Sequence, residues 1–210
     1  MRTAEEDMTA RARLREAALF CFARDGFTVP LRTIAQHAGV SVALITHHYG
    51  TKDNLRAVCD DYALSQYRDY KLLAVAQPAA VGQSLADPAE ASIMTVYMLR
   101  SLLDAGPAAK RFFDQFVEQV QLIMEASFAA GLVRASVMTP ERIRLMAADT
   151  MGGLLIQFAT NPPADPRDFI SQAFSKDRLI AQLELYRDGY FTDSPLFDQY
   201  IQTIKEWDHA

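Results

Sequence analysis

The chain is predicted to fold as an all-α protein, and three observations carry that expectation. Apolar residues recur at three- and four-residue spacing through most of its length. Pairs of a capping residue followed by proline (Asp87-Pro88, Thr139-Pro140, Asp165-Pro166, Ser194-Pro195) mark helix starts, and Glu90 completes a capping box with Asp87. No segment combines β-branched alternation with hairpin turn signals.

Helix one is expected from an N-cap at Thr9 to Asp25, burying Leu14, Ala17, Ala18, Cys21 and Phe22 and stopping at Gly26. Leu31, Ile34, Ala35 and Ala38 form the inward face of a short second helix. Gly39 takes the turn, where a left-handed backbone costs least without a Cβ. Ser41 can cap a third helix, with Leu44 or Ile45 and then Tyr49 as its anchors. Thr51 opens a fourth helix, with Leu55, Cys59, Tyr62, Tyr70 and Leu73 along one stripe. No linker separates this helix from the turn motif, so it is a physical lever. After Gln77 a Pro/Gly-containing stretch reads as a loop or a short broken helix. Further helices are expected at about 88–105, 107–130, 140–160, 166–174, 176–188 and 195–207. The break near Ser175 follows from phase, because Asp177 and Arg178 fall where Phe169, Ile170, Ala173 and Phe174 would continue.

Residues 38–55, AGVSVALITHHYGTKDNL, thus read as helix end, tight turn, short helix and capped helix start. That is the grammar of a helix-turn-helix, whose second helix enters the DNA major groove. The overall charge of −5 argues against such a role until its distribution is considered. Residues 9–56 carry Arg11, Arg13, Arg15, Arg24, Arg32, Lys52 and Arg56 against only Glu16, Asp25 and Asp53. Residues 57–210 hold 13 Lys and Arg against 20 acids. Phosphate contacts depend on the local field, so the basic first quarter decides. Half of the residues are hydrophobic, which excludes a disordered chain and permits a sizeable core. No apolar run is long enough to span a bilayer, and the charged N-terminus lacks a signal-peptide core, so a cytoplasmic protein is expected. Cys21 and Cys59 have no metal-ligand spacing and are expected to be reduced, with a redox switch at Cys59 as the rival reading.

Residues 9–56 resemble the DNA-binding domain of the TetR/AcrR family of bacterial transcriptional regulators. The resemblance rests on Ala17, Ala18 and Phe22, on Gly26-Phe27, on Ile34-Ala35 and on Ala38-Gly39-Val40-Ser41. His48-Tyr49-Gly50-Thr51-Lys52 and Leu55 complete it. It covers about a quarter of the chain; the remainder agrees in length and helix count. The resemblance implies a helix-turn-helix DNA-binding domain over 1–56 and a helical ligand-binding and dimerisation domain over 57–210. It places the recognition helix at Val42 to Tyr49. DNA contacts are then expected from Arg32, Thr33, Ser41, Val42, Ala43, Leu44, Thr46, His47, His48 and Lys52. Two positions depart from the family pattern: Ala43 replaces a usual Gly or Pro, and Thr46 replaces a usual phosphate-binding Tyr with a shorter hydroxyl.

The residues support the same assignment by their chemistry. Ser41 caps a helix whose N-terminal amides can meet a phosphate. Val42, Ala43 and Leu44 offer apolar contact to thymine methyls, while Thr46 and His47 offer hydrogen bonds. His47 and His48 diverge by about 100° on a helix and cannot share a metal, so no metal and no cofactor is expected. A single helix-turn-helix reads few base pairs, so a homodimer on a palindromic double-stranded operator is expected. Gly152 and Gly153 inside a helix each cost about 1 kcal/mol relative to Ala. They imply either close approach of a partner helix or a kink, and the dimer interface is expected at Ala148, Gly152, Leu155, Leu179 and Leu183. Met94, Tyr97, Met98, Phe112, Phe116, Met124 and Met151 are expected to line a pocket for a small hydrophobic effector, because methionine and aromatic side chains repack readily. Tyr97, Gln119 and Gln157 would orient it, and a packed core is the competing reading. The expected function is a DNA-binding repressor released by that effector, with neither catalysis nor membrane contact. The alternative is an all-α enzyme, interaction protein or scaffold whose helix-turn-helix senses no small ligand.

Overall fold

The computed structural model describes residues 4–77 and 88–188. Among the described residues all regular structure is helical. The helices are α1 (Ala4–Asp25), α2 (Leu31–Ala38), α3 (Val42–Tyr49), α4 (Lys52–Ala76) and α5 (Pro88–Leu103). They continue with α6 (Gly106–Ala129), α7 (Pro140–Thr160), α8 (Phe169–Ala173) and α9 (Lys176–Asp188). Single 3-10 turns occupy Ala135–Val137 and Pro166–Asp168. The chain divides into two compact units, Met1–Ala173 and Phe174–Ala210. The expected loop after Gln77, the cap at Asp87 and the helix at 195–207 lie outside the described residues.

Most expected boundaries hold because their signals are local. Gly39 sits at φ 68° and ends α2 through its own N–H, while Val40 N donates to Ala35 O at 3.0 Å. Ser41, Thr51 and Thr139 each accept a backbone N–H three residues on, capping α3, α4 and α7. Ser175 caps α9 in the same way, which fixes the break expected from phase.

Three expectations need correction. α1 begins at Ala4, so Thr9 is an interior residue rather than its cap. The acidic run Glu5-Glu6-Asp7 suits a helix N-terminus and carries the helix past Thr9. The buried stripe of α4 is Leu55, Cys59, Ala63 and Leu64, whereas Leu73 is 42% exposed. The segment expected as a helix from 166 starts as the 3-10 turn Pro166–Asp168 and has only five α-helical residues.

The core of the first unit is built around α5, which packs on α1, α6 and α8 and carries Ser92, Met94, Val96, Tyr97, Met98, Leu99 and Ser101 buried. A helix apolar nearly all round is a central helix. α1 lies on one side of it with Leu14, Ala18, Cys21 and Phe22 fully buried. α6 lies on another with Phe112, Phe116, Val120 and Met124 and also packs along α4. Each such large side chain contributes about 1.5–3 kcal/mol of transfer free energy. α4 starts beside the turn motif and packs along α6.

Candidate nucleic-acid interface

The helix-turn-helix is α2 and α3, backed by α1. Its inner side is closed by Val29, Ile34, Ala35, Ile45 and Tyr49, all buried. Three side-chain bonds fix it to neighbouring elements. Tyr49 Oη donates to Arg11 O at 2.7 Å and so ties the end of α3 to α1. Arg13 Nη2 donates to Ala38 O at 3.2 Å, satisfying a carbonyl at the end of α2. Lys52 Nζ donates to Phe27 O at 2.5 Å and pins the α1–α2 loop to the start of α4. A helix held this way is pre-organised, which lowers the ordering cost of any docking through its outer edge.

The outer edge matches the expected contact set in exposure. Arg32, Ser41, Val42, Ala43, Thr46 and His47 are exposed, and Thr33, Leu44 and His48 are half-buried. Val42 leaves 38% of its surface in solvent, so its methyls are open to an external contact. His47 is exposed and His48 half-buried, and their rings nonetheless meet edge to face with centroids 5.3 Å apart.

Two members of the set are engaged elsewhere. Thr46 Oγ1 donates to Val42 O at 3.3 Å, so its proton is used within α3 and its oxygen remains as an acceptor. Lys52 holds Phe27 O, which gives it a structural task and leaves two ammonium protons for other acceptors. The basic character of the N-terminal quarter is also partly spent. Arg24 pairs with Asp25 and Arg56 with Asp104, while the Arg15 guanidinium lies 3.6 Å over the Tyr62 ring. Among the described residues, Arg32 is an exposed cation at the motif's edge with no ion pair, hydrogen bond or ring contact, which suits a phosphate ligand.

Sequence reasoning missed a polar junction behind the motif. Tyr97 Oη donates to Asp60 Oδ1 at 2.6 Å and lies 3.2 Å from Arg56 O. Ser101 Oγ donates to the same carboxylate oxygen at 3.5 Å. Burial pushes the Asp60 carboxyl above its ordinary value, and the Tyr97 bond and the Arg56 charge partly restrain it. Arg100 Nε and Nη2 donate to Ala23 O and Arg24 O at 3.2 Å, capping the end of α1 from α5.

Tyr97 is therefore placed differently from the expected ligand-orienting role. Its hydroxyl is committed to Asp60, and its ring meets Phe22 and Phe27. Gln119 accepts from Arg68 Nη1 at 3.2 Å. Met94, Met98, Phe112, Phe116, Met124 and Met151 are all buried, and Phe116 packs on Tyr67 with centroids 5.1 Å apart. Two small hollows are present, one bounded by Phe22, Phe27, Lys52, Asp53 and Arg56 and one by Gln157, Asn161, Phe169, Gln172 and Ala173. None of the seven expected effector residues lines either. Of the expected dimer residues, Ala148, Leu179 and Leu183 are exposed, and Gly152 and Leu155 are half-buried. Cys59 is fully buried and its thiol is pushed up by burial, which removes the thiolate a redox switch would need.

Residues 14–59 match the family described as bacterial regulatory proteins, tetR family. Residues 90–192 match the family described as tetracyclin repressor-like, C-terminal domain. The chain is 32% identical over 203 residues to the HTH-type transcriptional regulatory protein RaaS of Mycobacterium tuberculosis, covering 95% of each. The chain belongs to the TetR family. It is a TetR-family transcriptional regulator, with the family's DNA-binding domain at its N-terminus followed by a helical C-terminal domain. The second match extends well beyond the segment whose motifs were legible. A solved structure described as "Molecular basis for control of antibiotic production by a bacterial hormones" has a TM-score of 0.46 and 16% identity, covering 88% of this chain and 98% of that one. Among the described residues no helix is long and apolar enough to cross a membrane.

Proposed function

We propose that this TetR-family regulator is a cytoplasmic homodimeric repressor that reads a palindromic operator through α3 and is released by a small hydrophobic effector. The observation that carries the reading is the outer edge of α3, where Val42, Ala43, Thr46 and His47 are exposed on a helix whose back is bonded to α1. Residues 1–56 act as the reader and 57–210 as the sensing and dimerising part. Arg32 and Thr33 serve the phosphates, with Ser41 and the α3 amides behind it, and Val42, Ala43, Leu44 and His47 face base edges. His48 supports the helix end, and Lys52 acts mainly through the Phe27 loop.

The second copy is supported by α7. Leu145, Ala148, Gly152 and Ile156 share one face of it, and Leu145 and Ile156 are 60% and 64% exposed. α9 carries a stripe of the same kind in Leu179, Leu183 and Tyr186. The effector would enter among Met94, Met98, Phe112, Phe116, Met124 and Met151, side chains that can repack around a guest. A compound that both raises the melting temperature and releases DNA would support this part; a screen of hydrophobic compounds with neither effect would count against it.

DNA reading is tested by selecting duplexes from a random pool and titrating the winner over salt. Arg32→Ala should weaken binding to all sequences and reduce the salt slope by about one unit. Changes at Val42 or His47 should shift which bases are preferred, by about 1–3 kcal/mol per base pair. An enriched duplex whose affinity, slope and base preference ignore all three substitutions would remove α3 as the reader.

A further inference from the structure

Reader and body meet where contacts of several kinds converge on Phe27, in the loop between α1 and α2. The Arg56 guanidinium lies 3.6 Å over the face of its ring. Tyr97 of α5 meets the ring edge-on at 5.6 Å, and Phe22 of α1 lies 5.2 Å away. The Phe27 carbonyl holds Lys52 Nζ. Beside these groups lies a hollow of about 70 Å³ bounded by Phe22, Phe27, Lys52, Asp53 and Arg56.

Arg56 is held in turn from the body. Its Nη1 lies 2.6 Å from Asp104 Oδ2, one residue past the end of α5. A chain of direct contacts therefore runs from Asp104 to Arg56 to Phe27. Phe27 stands three residues before Pro30, the residue that opens α2. A displacement of the loop is a displacement of α2, and α2 carries α3. Arg suits the middle position because one planar group can stack on a ring and bond a carboxylate at once.

We propose that Phe27 is a positioning residue for DNA binding, held in register by an Arg56–Asp104 clamp through which α5 sets the placement of the helix-turn-helix. This rests on α2 and α3 being the DNA reader. The rival role for Arg56 is direct phosphate contact, and the two roles differ in sign and in salt dependence. Removing the charge of Asp104 makes the protein less negative, so the overall field alone would strengthen DNA binding. Loss of the clamp weakens it. Asp104 has a side chain 37% exposed and Arg56 18%, so truncating the acid disturbs no core.

The experiment uses the full chain and a duplex enriched from a random pool by the wild-type protein. Asp104→Asn is expected to weaken operator affinity about threefold, and Arg56→Gln about tenfold, the range of coupling seen between linked sites. Both should keep the wild-type slope of log affinity against log salt, because no phosphate contact is lost. Asp104→Glu, which keeps the charge, should restore binding, and affinity for an unselected duplex should not fall in Asp104→Asn. If the wild-type protein enriches a duplex and Asp104→Asn binds it equally or more tightly, the clamp is overturned. A reduced salt slope in Arg56→Gln would assign Arg56 to a phosphate instead. If the wild-type protein enriches no duplex, the DNA-reading assignment fails and the clamp falls with it.

Discussion

Gly152→Leu is expected to turn the protein into a monomer in sedimentation and to lower operator affinity at least about a hundredfold, the avidity lost when two linked reading heads become one. The structure narrows the reason for the glycine. Among the described residues, a Cβ built at Gly152 meets nothing within 4 Å, so packing against them does not require the glycine. α7 runs as one helix from Pro140 to Thr160, with Gly152 near its middle. Yet a mid-helix glycine costs about 1 kcal/mol relative to Ala. A backbone from outside the chain, seated between Leu145 and Ile156, supplies a requirement. Leucine would fill that seat, and its Cβ would meet none of the described residues of its own protomer. Far-UV circular dichroism should therefore stay native, and the monomer's denaturation midpoint should not fall, since leucine favours a helix interior over glycine. Gly152→Ala should be tolerated as a folded chain and show an intermediate dimer constant. A Gly152→Leu dimer of native strength would place the interface on another face.

The reader was legible because its signals are local. A turn glycine, two hydroxyl caps and a basic run are all written within about a dozen residues of the atoms they serve, and Gly39, Ser41 and Thr51 act as their types suggest. The contacts that join reader to body were not legible. Tyr97 and Asp60 are 37 positions apart, Arg56 and Asp104 are 48 apart, and Arg100 is 77 from Ala23. Hydrophobic periodicity puts Tyr97 on an apolar face without saying what its hydroxyl will find. The aromatic and methionine content of α5 and α6 looks the same whether it lines a pocket or fills a core. The α4 stripe drifted for a related reason, since the small Ala63 is easily passed over in favour of the larger Leu73. The one signal that pointed to the junction was Asp60 itself, an acid next to Cys59 on the buried stripe of α4.

Tyr97→Ala is expected to cost about 3–5 kcal/mol of folding free energy, against about 5–15 kcal/mol available to a whole domain. Tyr97 is fully buried, contacts Phe22 and Phe27, and holds Asp60. Tyr97→Phe separates ring from hydroxyl. It keeps the packing but takes a donor from a buried carboxylate, for about 1–3 kcal/mol. A pH profile then identifies Asp60 as the group left wanting. Its folded pKa lies above the ordinary 3.8, because burial disfavours the charge. The folded chain therefore binds this proton more tightly than the unfolded chain does. That stability term is fully present below 3.8 and is lost as pH rises through the folded value. Removing the Tyr97 hydroxyl takes away a group that lowers the folded value, so in Tyr97→Phe the loss should extend to higher pH and grow in size. Asp60→Asn should abolish the term, because the amide stays neutral and its oxygen can still accept from Tyr97 and Ser101. Urea denaturation midpoints measured from about pH 4 to 8 provide the comparison. The same profile in wild-type, Tyr97→Phe and Asp60→Asn would mean that Asp60 carries no buried charge, and Tyr97→Phe would then be left with a packing effect alone.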